Sequence, residues 1–450
     1  MKRGEKIVAS VEQLTRQGDG IAFCEGREII IHRTVPGDKV EVEIRRKRKG
    51  RFEASVVDFI EYGRLRQAPL CQHFGICGGC RWQDISYEEQ LKIKDQMVLE
   101  ALEIKNLEIA EVPSIIANQT PLFYRNKMEF SFGMDRQGRL QLGLHLRGRF
   151  NQLFDVVKCC LQSELSNRIL QIVRQLASEA GLPAYDLKTH RGLLRFLVIR
   201  EGKNSGEVMV NLVVSDYPCS SIETLAEAVL EEIPQITTFI VTLHQGKAQV
   251  AIGQKEFFIK ERGRIIEKCV GLDFEISPQS FFQTNTLQAE RLYREVASMA
   301  GDLEGKKILD LYCGTGGIGL YLARKAKSVL GVELVEEAVE DARKNVARNE
   351  IPNTTFIAGA VEEVILELNN EEQSFDLVIL DPPRAGLHKK VRSALGRLNP
   401  PQILYVSCNP FSLADDLEVL CSLGYRIKLV QPIDMFPQTP HCEIVVNLVA

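Results

Sequence analysis

Ile308-Leu309-Asp310-Leu311-Tyr312 is an apolar run that passes directly into Cys313-Gly314-Thr315-Gly316-Gly317-Ile318-Gly319. It reads as a strand, a glycine-rich turn and the start of a helix. Glycines at such a turn let the backbone approach a ligand that any Cβ would hold away. The surrounding pattern is regular. The spacing predicts helices over 286–299, 317–325 and 335–349, and strands over 307–312, 328–333, 375–380, 402–407, near 425–431 and over 443–449. Such alternation predicts an α/β unit around a mainly parallel sheet, with ligands at the carboxyl ends of its strands.

Two acids stand at those strand ends. Glu333 closes the second strand, 23 residues after Asp310, where a carboxylate can accept both ribose hydroxyl hydrogens. Asp381 follows Leu377-Val378-Ile379-Leu380 and begins Asp381-Pro382-Pro383-Arg384, a rigid bend that presents the acid at the sheet edge. A dinucleotide-binding loop would use similar glycines. The Asp-x-x-x-Gly-x-Gly frame with an acid on the second strand resembles the class I S-adenosylmethionine-dependent methyltransferases instead. That resemblance implies a Rossmann-like class I methyltransferase domain. Arg384 stands where methyltransferases of exocyclic amines carry an aromatic residue, which turns the expectation towards a carbon target.

A thiol stands at another strand end. Cys408 in Ser407-Cys408-Asn409-Pro410 follows Ile403-Leu404-Tyr405-Val406 and precedes a proline that turns the chain. A pyrimidine C5 is a poor nucleophile. Addition of a thiolate to C6 makes C5 able to attack a sulfonium methyl, and a base must then remove the C5 proton so that the thiol can leave. Glu443, directly before Ile444-Val445-Val446, is the leading candidate for that base. Cys313 and Cys442 are expected to be small core residues, and His441 a rim histidine without a defined role.

At 450 residues the chain is too long for one ordinary domain. No apolar run approaches the roughly 18–20 residues of a membrane span, and no apolar stretch follows the first residues, so a soluble cytoplasmic protein is expected. Residues 1 to about 62 read as short strands, with Val40, Val42 and Ile44 alternating with Glu41 and Glu43. A small OB-like barrel fits them. Between Met1 and Ala68 there are 15 Lys/Arg and 11 Asp/Glu, which leaves that segment at +4 in a chain of net charge −4. Much of the excess lies in Arg45-Arg46-Lys47-Arg48-Lys49-Gly50-Arg51, expected as a basic loop contacting RNA. An amphipathic helix is expected around 86–106 and another near 164–179. Met128, Phe130 and Phe132, like Val208, Val210 and Leu212, are expected to face a core.

Cys71, Cys77 and Cys80 put three thiols within ten residues, with Gly78 and Gly79 allowing a tight wrap. That spacing is compatible with zinc or with iron–sulfur. Cys159-Cys160 is the obvious reserve for a fourth ligand. Twelve cysteines in a chain expected to stay in the cytoplasm are not a disulfide scaffold.

Gly314-Thr315-Gly316, Asp381-Pro382-Pro383-Arg384, Ser407-Cys408-Asn409-Pro410, Phe281-Phe282-Gln283-Thr284-Asn285 and Phe436-Pro437-Gln438-Thr439-Pro440-His441-Cys442-Glu443 together resemble the RNA uracil-5-methyltransferase family, which forms 5-methyluridine. The first 60 residues resemble the TRAM module, a small RNA-binding barrel found in several members. The resemblance implies Cys408 as nucleophile and Glu443 as proton acceptor, with Gln283, Tyr312, Glu333 and Asp381 contacting S-adenosylmethionine or the uracil edge. It implies a structural or RNA-positioning 4Fe–4S cluster on Cys71, Cys77, Cys80 and Cys159, with Cys160 the other candidate for the fourth ligand. It implies a TRAM/OB-like barrel over 1–62, an α+β central domain over 63–82 and 115–280 that carries the cluster, and the methyltransferase domain over 83–114 and 281–450. Ala360 departs from the family, many members of which place an acidic or amide residue there near the adenine. The expected partner is structured RNA entered by base flipping, 23S rRNA ahead of tRNA, and the expected state is a monomer. A cytosine-5 enzyme would place a Pro-Cys pair or a second cysteine at the corresponding strand ends, which Asp381-Pro382-Pro383-Arg384 lacks. A non-catalytic iron–sulfur RNA-binding protein would have no need of Cys408, Glu443 and the glycine turn together.

Overall fold

The computed structural model describes residues 1–48, 50–261 and 263–450. Strands β1 (Lys6–Leu14), β2 (Gly20–Cys24), β3 (Arg27–Ile31), β4 (Lys39–Arg48) and β5 (Arg51–Glu61) form a closed barrel in the order β1-β2-β3-β5-β4. The period-2 pattern of β4 explains its place: Val40, Val42 and Ile44 fill the interior beside Ala22, Ile29 and Ala54. The basic run is not a loop. Arg45 to Arg48 extend β4 and Arg51 opens β5, so the charges line a hairpin tip; Lys49 lies outside the described residues.

Helix α1 (Tyr87–Glu103) follows, capped by Ser86, whose hydroxyl accepts the Glu89 N–H. Next come β6 (Lys127–Met134), β7 (Leu140–Leu146), β8 (Arg149–Asp155), α2 (Glu164–Glu179), β9 (Leu194–Glu201), β10 (Val208–Val214), α3 (Ser220–Glu232), β11 (Thr238–Leu243) and β12 (Lys255–Lys260). Their seven strands form one mixed sheet, β12-β11-β10-β9-β6-β7-β8. Met128, Phe130 and Phe132 pack with Val210 and Leu212 against α2 and α3, so these residues are core. Strand β10 is buried on both faces, because Met209 joins a second core with the hairpin β13 (Ile265–Cys269) and β14 (Leu272–Ile276).

The C-terminal unit contains α4 (Thr286–Ala300), β15 (Lys307–Leu311), α5 (Gly317–Ala323), β16 (Ser328–Glu333), α6 (Glu336–Arg348), β17 (Thr354–Ala358), α7 (Val361–Asn370), β18 (Leu377–Leu380), α8 (Lys389–Leu398), β19 (Gln402–Ser407), α9 (Pro410–Ser422), β20 (Arg426–Ile433) and β21 (Glu443–Val449). Its sheet runs β17-β16-β15-β18-β19-β21-β20. Alternate residues of each strand go to opposite faces. Ile308, Ile379, Leu404 and Val406 meet α4, α5 and α6, while Leu309, Val378, Ile403 and Tyr405 meet α7, α8, α9 and α1. Elements β17, α7, α8 and α9 escape the sequence reading. Strand β17 is only five residues long with Thr354 and Thr355 at its start, and α8 opens with Lys389-Lys390.

Helix α1 carries polar side chains on its buried stripe: Gln90 and Lys94 lie beside Met97, Val98 and Ala101. Each has a partner in the segment before β21. Lys94 Nζ is 2.5 Å from Asp434 Oδ1 and donates to the Phe436 carbonyl at 3.1 Å, and both charged side chains are fully buried. The Tyr87 hydroxyl donates to Asp434 at 2.7 Å. Gln90 donates to Gln438 Oε1 and accepts the Gln438 N–H, both at 2.9 Å. Lys94→Met leaves Asp434 buried without its cation and is expected to cost about 3–5 kcal/mol of unfolding free energy in urea denaturation. Lys94→Met combined with Asp434→Leu should recover most of that loss.

Candidate active site

Strands β15, β16, β18 and β19 run parallel, so their carboxyl ends share one rim. Tyr312, Glu333, Asp381 and Cys408 stand there. Strand β21 runs antiparallel to β19, with Ser407 opposite Ile444. Its first residue, Glu443, therefore enters the same rim from the opposite direction, beside Cys408. A cavity of about 1350 Å³ is lined by Gln283, Tyr312, Glu333, Asp381, Cys408 and Glu443 together. Ala360 also lines it.

The glycine turn is sterically constrained. Tyr312, Gly314 and Gly316 have φ of 64°, 53° and 82°. A Cβ on Gly316 would lie 2.5 Å from Phe356 Cζ, and one on Gly319 would lie 2.7 Å from Asp310 Oδ2. Tyr312, which no glycine replaces, takes a left-handed backbone that is costly for an aromatic residue; its N–H donates to the Val332 carbonyl at 2.9 Å. Glu333 braces the turn, accepting the Gly314 N–H at 3.1 Å and the Val335 N–H at 3.0 Å.

This end of the cavity is acidic. Asp310 Oδ2 is buried without a hydrogen-bond partner among the described residues. Burial, with the nearby Asp381 and Glu333 charges, pushes Asp310 up to about 8. Burial and Glu333 push Asp381 up to about 7. A bound cation would relieve both. S-adenosylmethionine fits these residues: glycines would permit its close approach, the acids would complement its positive charges, and a carboxylate such as Glu333 could accept from ribose hydroxyls. The Gln283 carbonyl accepts from Asn126 at 2.8 Å, while Asn285 caps α4 and donates to the Met435 carbonyl at 2.9 Å. The Phe281–Asn285 segment is thereby tied both to β6 and to the segment leading to Glu443.

At the other end, Asn409 caps α9 by accepting the Phe411 N–H and donates its side-chain amide to the Arg384 carbonyl at 3.0 Å. Ser412 donates to the same carbonyl at 3.1 Å. The Asp381–Arg384 bend is thus latched to the turn that carries Cys408. Burial, then the Glu443 charge, pushes the Cys408 thiol up to about 11, and Arg384 opposes them. Burial, then Asp381, holds Glu443 well above the usual carboxylate range, again against Arg384. Arg384 is accordingly the counter-charge of both groups, a role that its non-aromatic character alone did not disclose. His441 Nδ1 lies 3.2 Å from Arg384 Nη2. Burial first, then Arg384, Lys94 and Arg81, pulls His441 down to about 4, so the rim histidine is neutral at physiological pH.

Cys71, Cys77, Cys80, Cys159 and Cys160 line a second cavity of about 640 Å³. The two cavities share Gly79, Arg125, Leu161 and Phe282 in their walls. All twelve cysteines are free. Gln83, which spacing did not single out, clips two of the loop cysteines: it accepts the Cys71 N–H at 3.0 Å and donates to Cys80 Sγ at 3.2 Å. Gly79 N–H donates to Cys77 Sγ at 3.3 Å. Cys159 is held through its backbone by Asn167, which accepts its N–H at 2.8 Å and donates to its carbonyl at 3.0 Å. Burial pushes the thiols of Cys77, Cys80 and Cys159 up, Cys80 to about 12. Among the described residues no group of three or more His, Cys, Asp or Glu is arranged to hold a metal ion.

Residues 86–450 match the family model described as tRNA (Uracil-5-)-methyltransferase, and residues 1–57 match the TRAM domain. A protein of Caldanaerobacter subterraneus subsp. tengcongensis named as an RNA methyltransferase is 40% identical, covering 99% of this chain and 99% of its own. One from Clostridium tetani, likewise named, is 38% identical over 100% of this chain and 98% of its own. The crystal structure of Pyrococcus abyssi tRNA (uracil-54, C5)-methyltransferase in complex with S-adenosyl-L-homocysteine superimposes with a TM-score of 0.79. It is 30% identical and aligns over 98% of this chain and 100% of that one.

The charges around Cys408 predict its reactivity. Alkylation of the Cys408 peptide, followed by mass spectrometry in the ligand-free protein, should rise with pH towards a midpoint of about 11. Glu443→Gln removes a negative neighbour and should lower that midpoint, whereas Arg384→Gln removes the opposing cation and should raise it.

Proposed function

This chain belongs to the tRNA (uracil-5-)-methyltransferase family, and we propose that it methylates C5 of a specific uridine in structured RNA, 23S rRNA ahead of tRNA. It is an S-adenosylmethionine-dependent RNA methyltransferase carrying an N-terminal TRAM domain. The observation that carries the mechanistic reading is the meeting of Cys408 and Glu443 at the rim formed by β19 and β21, within the cavity that also holds the glycine turn.

S-adenosylmethionine, when bound, supplies an electrophilic methyl group on a positively charged sulfur. Gln283, Tyr312, Glu333 and Asp381 would hold that molecule or the uracil edge, the carboxylates complementing its positive charge and ribose hydroxyls. Cys408 gives its proton to solvent and adds through sulfur to C6 of the flipped uridine; the C5–C6 π bond breaks and its electrons move towards C5 and the O4 carbonyl, which makes C5 nucleophilic. Arg384 favours the thiolate and offsets the negative charge of Glu443 beside it. After the methyl has reached C5, Glu443 accepts the C5 proton, the C5–C6 double bond re-forms and the C6–S bond breaks to release Cys408. That step needs Glu443 ionised, and Arg384 is the group that favours its charged form against burial and Asp381.

The cysteine cavity supports a 4Fe–4S cluster held by Cys71, Cys77, Cys80 and Cys159, with Cys160 the alternative to Cys159. What supports this reading is that all five of these cysteines line one cavity and that Gln83 and Gly79 donate to the sulfurs of Cys80 and Cys77, as hydrogen bonds to thiolate ligands would, although among the described residues the thiols are not gathered as they would be around a metal. Nothing in the methyl transfer needs electrons, so the cluster would order the segment between the barrel and α1. The cysteine trio combined with the TRAM barrel favours 23S rRNA. The second reading, tRNA, is favoured by the Pyrococcus abyssi enzyme, which is named for a tRNA uridine and aligns with nearly the whole chain. Among the described residues no helix is long and apolar enough to cross a membrane; we take the enzyme to act as a cytoplasmic monomer.

Fluorine at C5 cannot leave as a proton, so 5-fluorouridine-substituted RNA traps the adduct. Incubated with S-adenosylmethionine, the protein should form a gel-stable complex with the substituted 23S rRNA fraction and not with tRNA, and Cys408→Ala should form none. Trapping on tRNA alone would reverse the choice of substrate. No adduct with any RNA would remove the covalent mechanism. Glu443→Gln should lower turnover on ordinary RNA by about a hundredfold or more and accumulate the methylated adduct, because the C5 proton stays in place.

Protein purified without oxygen should be brown and carry about four iron atoms per chain. Stoichiometric zinc in a colourless protein would overturn the cluster.

A further inference from the structure

The basic hairpin tip is the obvious place to look for RNA contacts in the barrel, yet much of its charge is already matched. Arg45 pairs with Glu43 at 2.8 Å, Arg46 with Glu53 at 2.6 Å and Arg51 with Glu28 at 3.0 Å. A different part of the barrel touches the catalytic rim. The turn between β1 and β2 lies across two segments whose residues line the catalytic cavity. Gly18, with φ of 78°, packs so closely that a Cβ would come 2.9 Å from Trp82 Cζ2 and 3.1 Å from Pro440 Cβ. Trp82, almost fully buried, donates its indole N–H to the Gly18 carbonyl at 3.3 Å. Arg81 and Trp82 also donate their backbone N–H groups to the Gln438 carbonyl, at 2.8 Å and 3.2 Å. Arg81 donates through its side chain to the Gln17 carbonyl as well. The turn is therefore built onto the segment that leads to Glu443.

At its other edge the turn reaches the nucleophile side. The Arg16 guanidinium stacks over the Phe411 ring, 3.7 Å from its centroid, and Phe411 is three residues beyond Cys408 in the first turn of α9. Arg16 is exposed and has no acidic partner among the described residues. Asp19, the acid nearest to it in sequence, is engaged by His32, Arg81 and Arg147. A stacked guanidinium uses one face on the ring and keeps its N–H edge free, a geometry suited to two parallel hydrogen bonds with a phosphate. When a base flips into the cavity, its backbone stays at the mouth, and Phe411, three residues after the cavity-lining Cys408, holds the Arg16 charge on that side of the site.

We propose that Arg16, carried by the barrel and oriented by Phe411, binds an RNA phosphodiester next to the target uridine. The proposal rests on the reading of the cavity as an RNA methylation site, and it makes the β1–β2 turn, rather than the hairpin tip, the barrel's contact nearest the chemistry.

The test uses the full-length protein and the RNA fraction on which the wild type forms its fluorouridine adduct. Arg16→Ala should weaken RNA binding at every salt concentration and reduce the slope of log affinity against log salt by about one, the signature of one lost phosphate contact. Phe411→Leu, which keeps an apolar side chain but removes the stacking face, should weaken binding in the same direction. Arg46→Ala should change the slope less, because its partner Glu53 already offsets its charge. S-adenosylmethionine affinity measured by calorimetry should stay at the wild-type value in Arg16→Ala, which excludes a collapsed site. A wild-type salt slope in Arg16→Ala, or a loss of turnover with unchanged RNA affinity, would overturn the phosphate contact. A wild-type protein that neither binds RNA nor forms the adduct would overturn the underlying reading as well.

Discussion

The antiparallel ladder between β19 and β21 sets Ser407 opposite Ile444, and the next residues beyond that pair are Cys408 and Glu443. In a wholly parallel sheet the rim receives only carboxyl-terminal strand ends, and a residue that opens a strand would sit at the far edge. Reversal of one strand brings a residue from the start of β21 to the end of β19. The ladder is anchored by apolar side chains on both faces: Val406 and Val445 on one, Tyr405, Ile444 and Val446 on the other, all fully buried. A one-residue slip would turn every one of those side chains to the wrong face and separate the thiol from the carboxylate, so packing enforces the register.

The segment that feeds β21 has to be held just as firmly, and apolar packing alone does not do it. Asp434, Phe436 and Gln438 are fastened to α1 by Lys94, Tyr87 and Gln90 through buried polar contacts. A buried ion pair contributes little net stability because both charges give up water, but it penalises every arrangement in which the partners separate. Its use here is to specify one path for the chain between β20 and β21. Gln438 takes a left-handed backbone in that path, with φ of 69°, a conformation its hydrogen bonds to Gln90 compensate.

Charge follows the same division of the cavity. Asp310, Glu333 and Asp381 give one end an excess of negative charge that a cationic methyl donor would neutralise, while Arg384 offsets Glu443 and Cys408 at the other end. Burial and the Glu443 charge favour the protonated thiol of Cys408, and Arg384 opposes them.

Much of this was legible in the residues. Glycines at 314 and 316, an acid after each of two apolar strands, a cysteine before Asn-Pro and a glutamate before the last strand are local patterns, and each depends only on backbone geometry or strand periodicity. Some elements were not legible: β17 spans only five residues and α7 and α8 ten each, and α9 also went unread although its buried face includes Leu413, Leu417 and Leu420. Nor could spacing show that Lys94 and Gln90 face inward, that Gln83 bridges Cys71 and Cys80, that Arg384 opposes the charge of Glu443, or that Arg16 of the barrel lies on Phe411. Those contacts join residues up to about 395 positions apart, and a chain reveals such partners only after it has folded. The sequence by itself determined which chemical groups the protein brings and the strand ends that carry them, because those follow from local propensity. Which groups meet, with what charge around them and behind which part of the barrel, was decided by the tertiary structure, because strand order, strand direction and burial are properties of the whole fold.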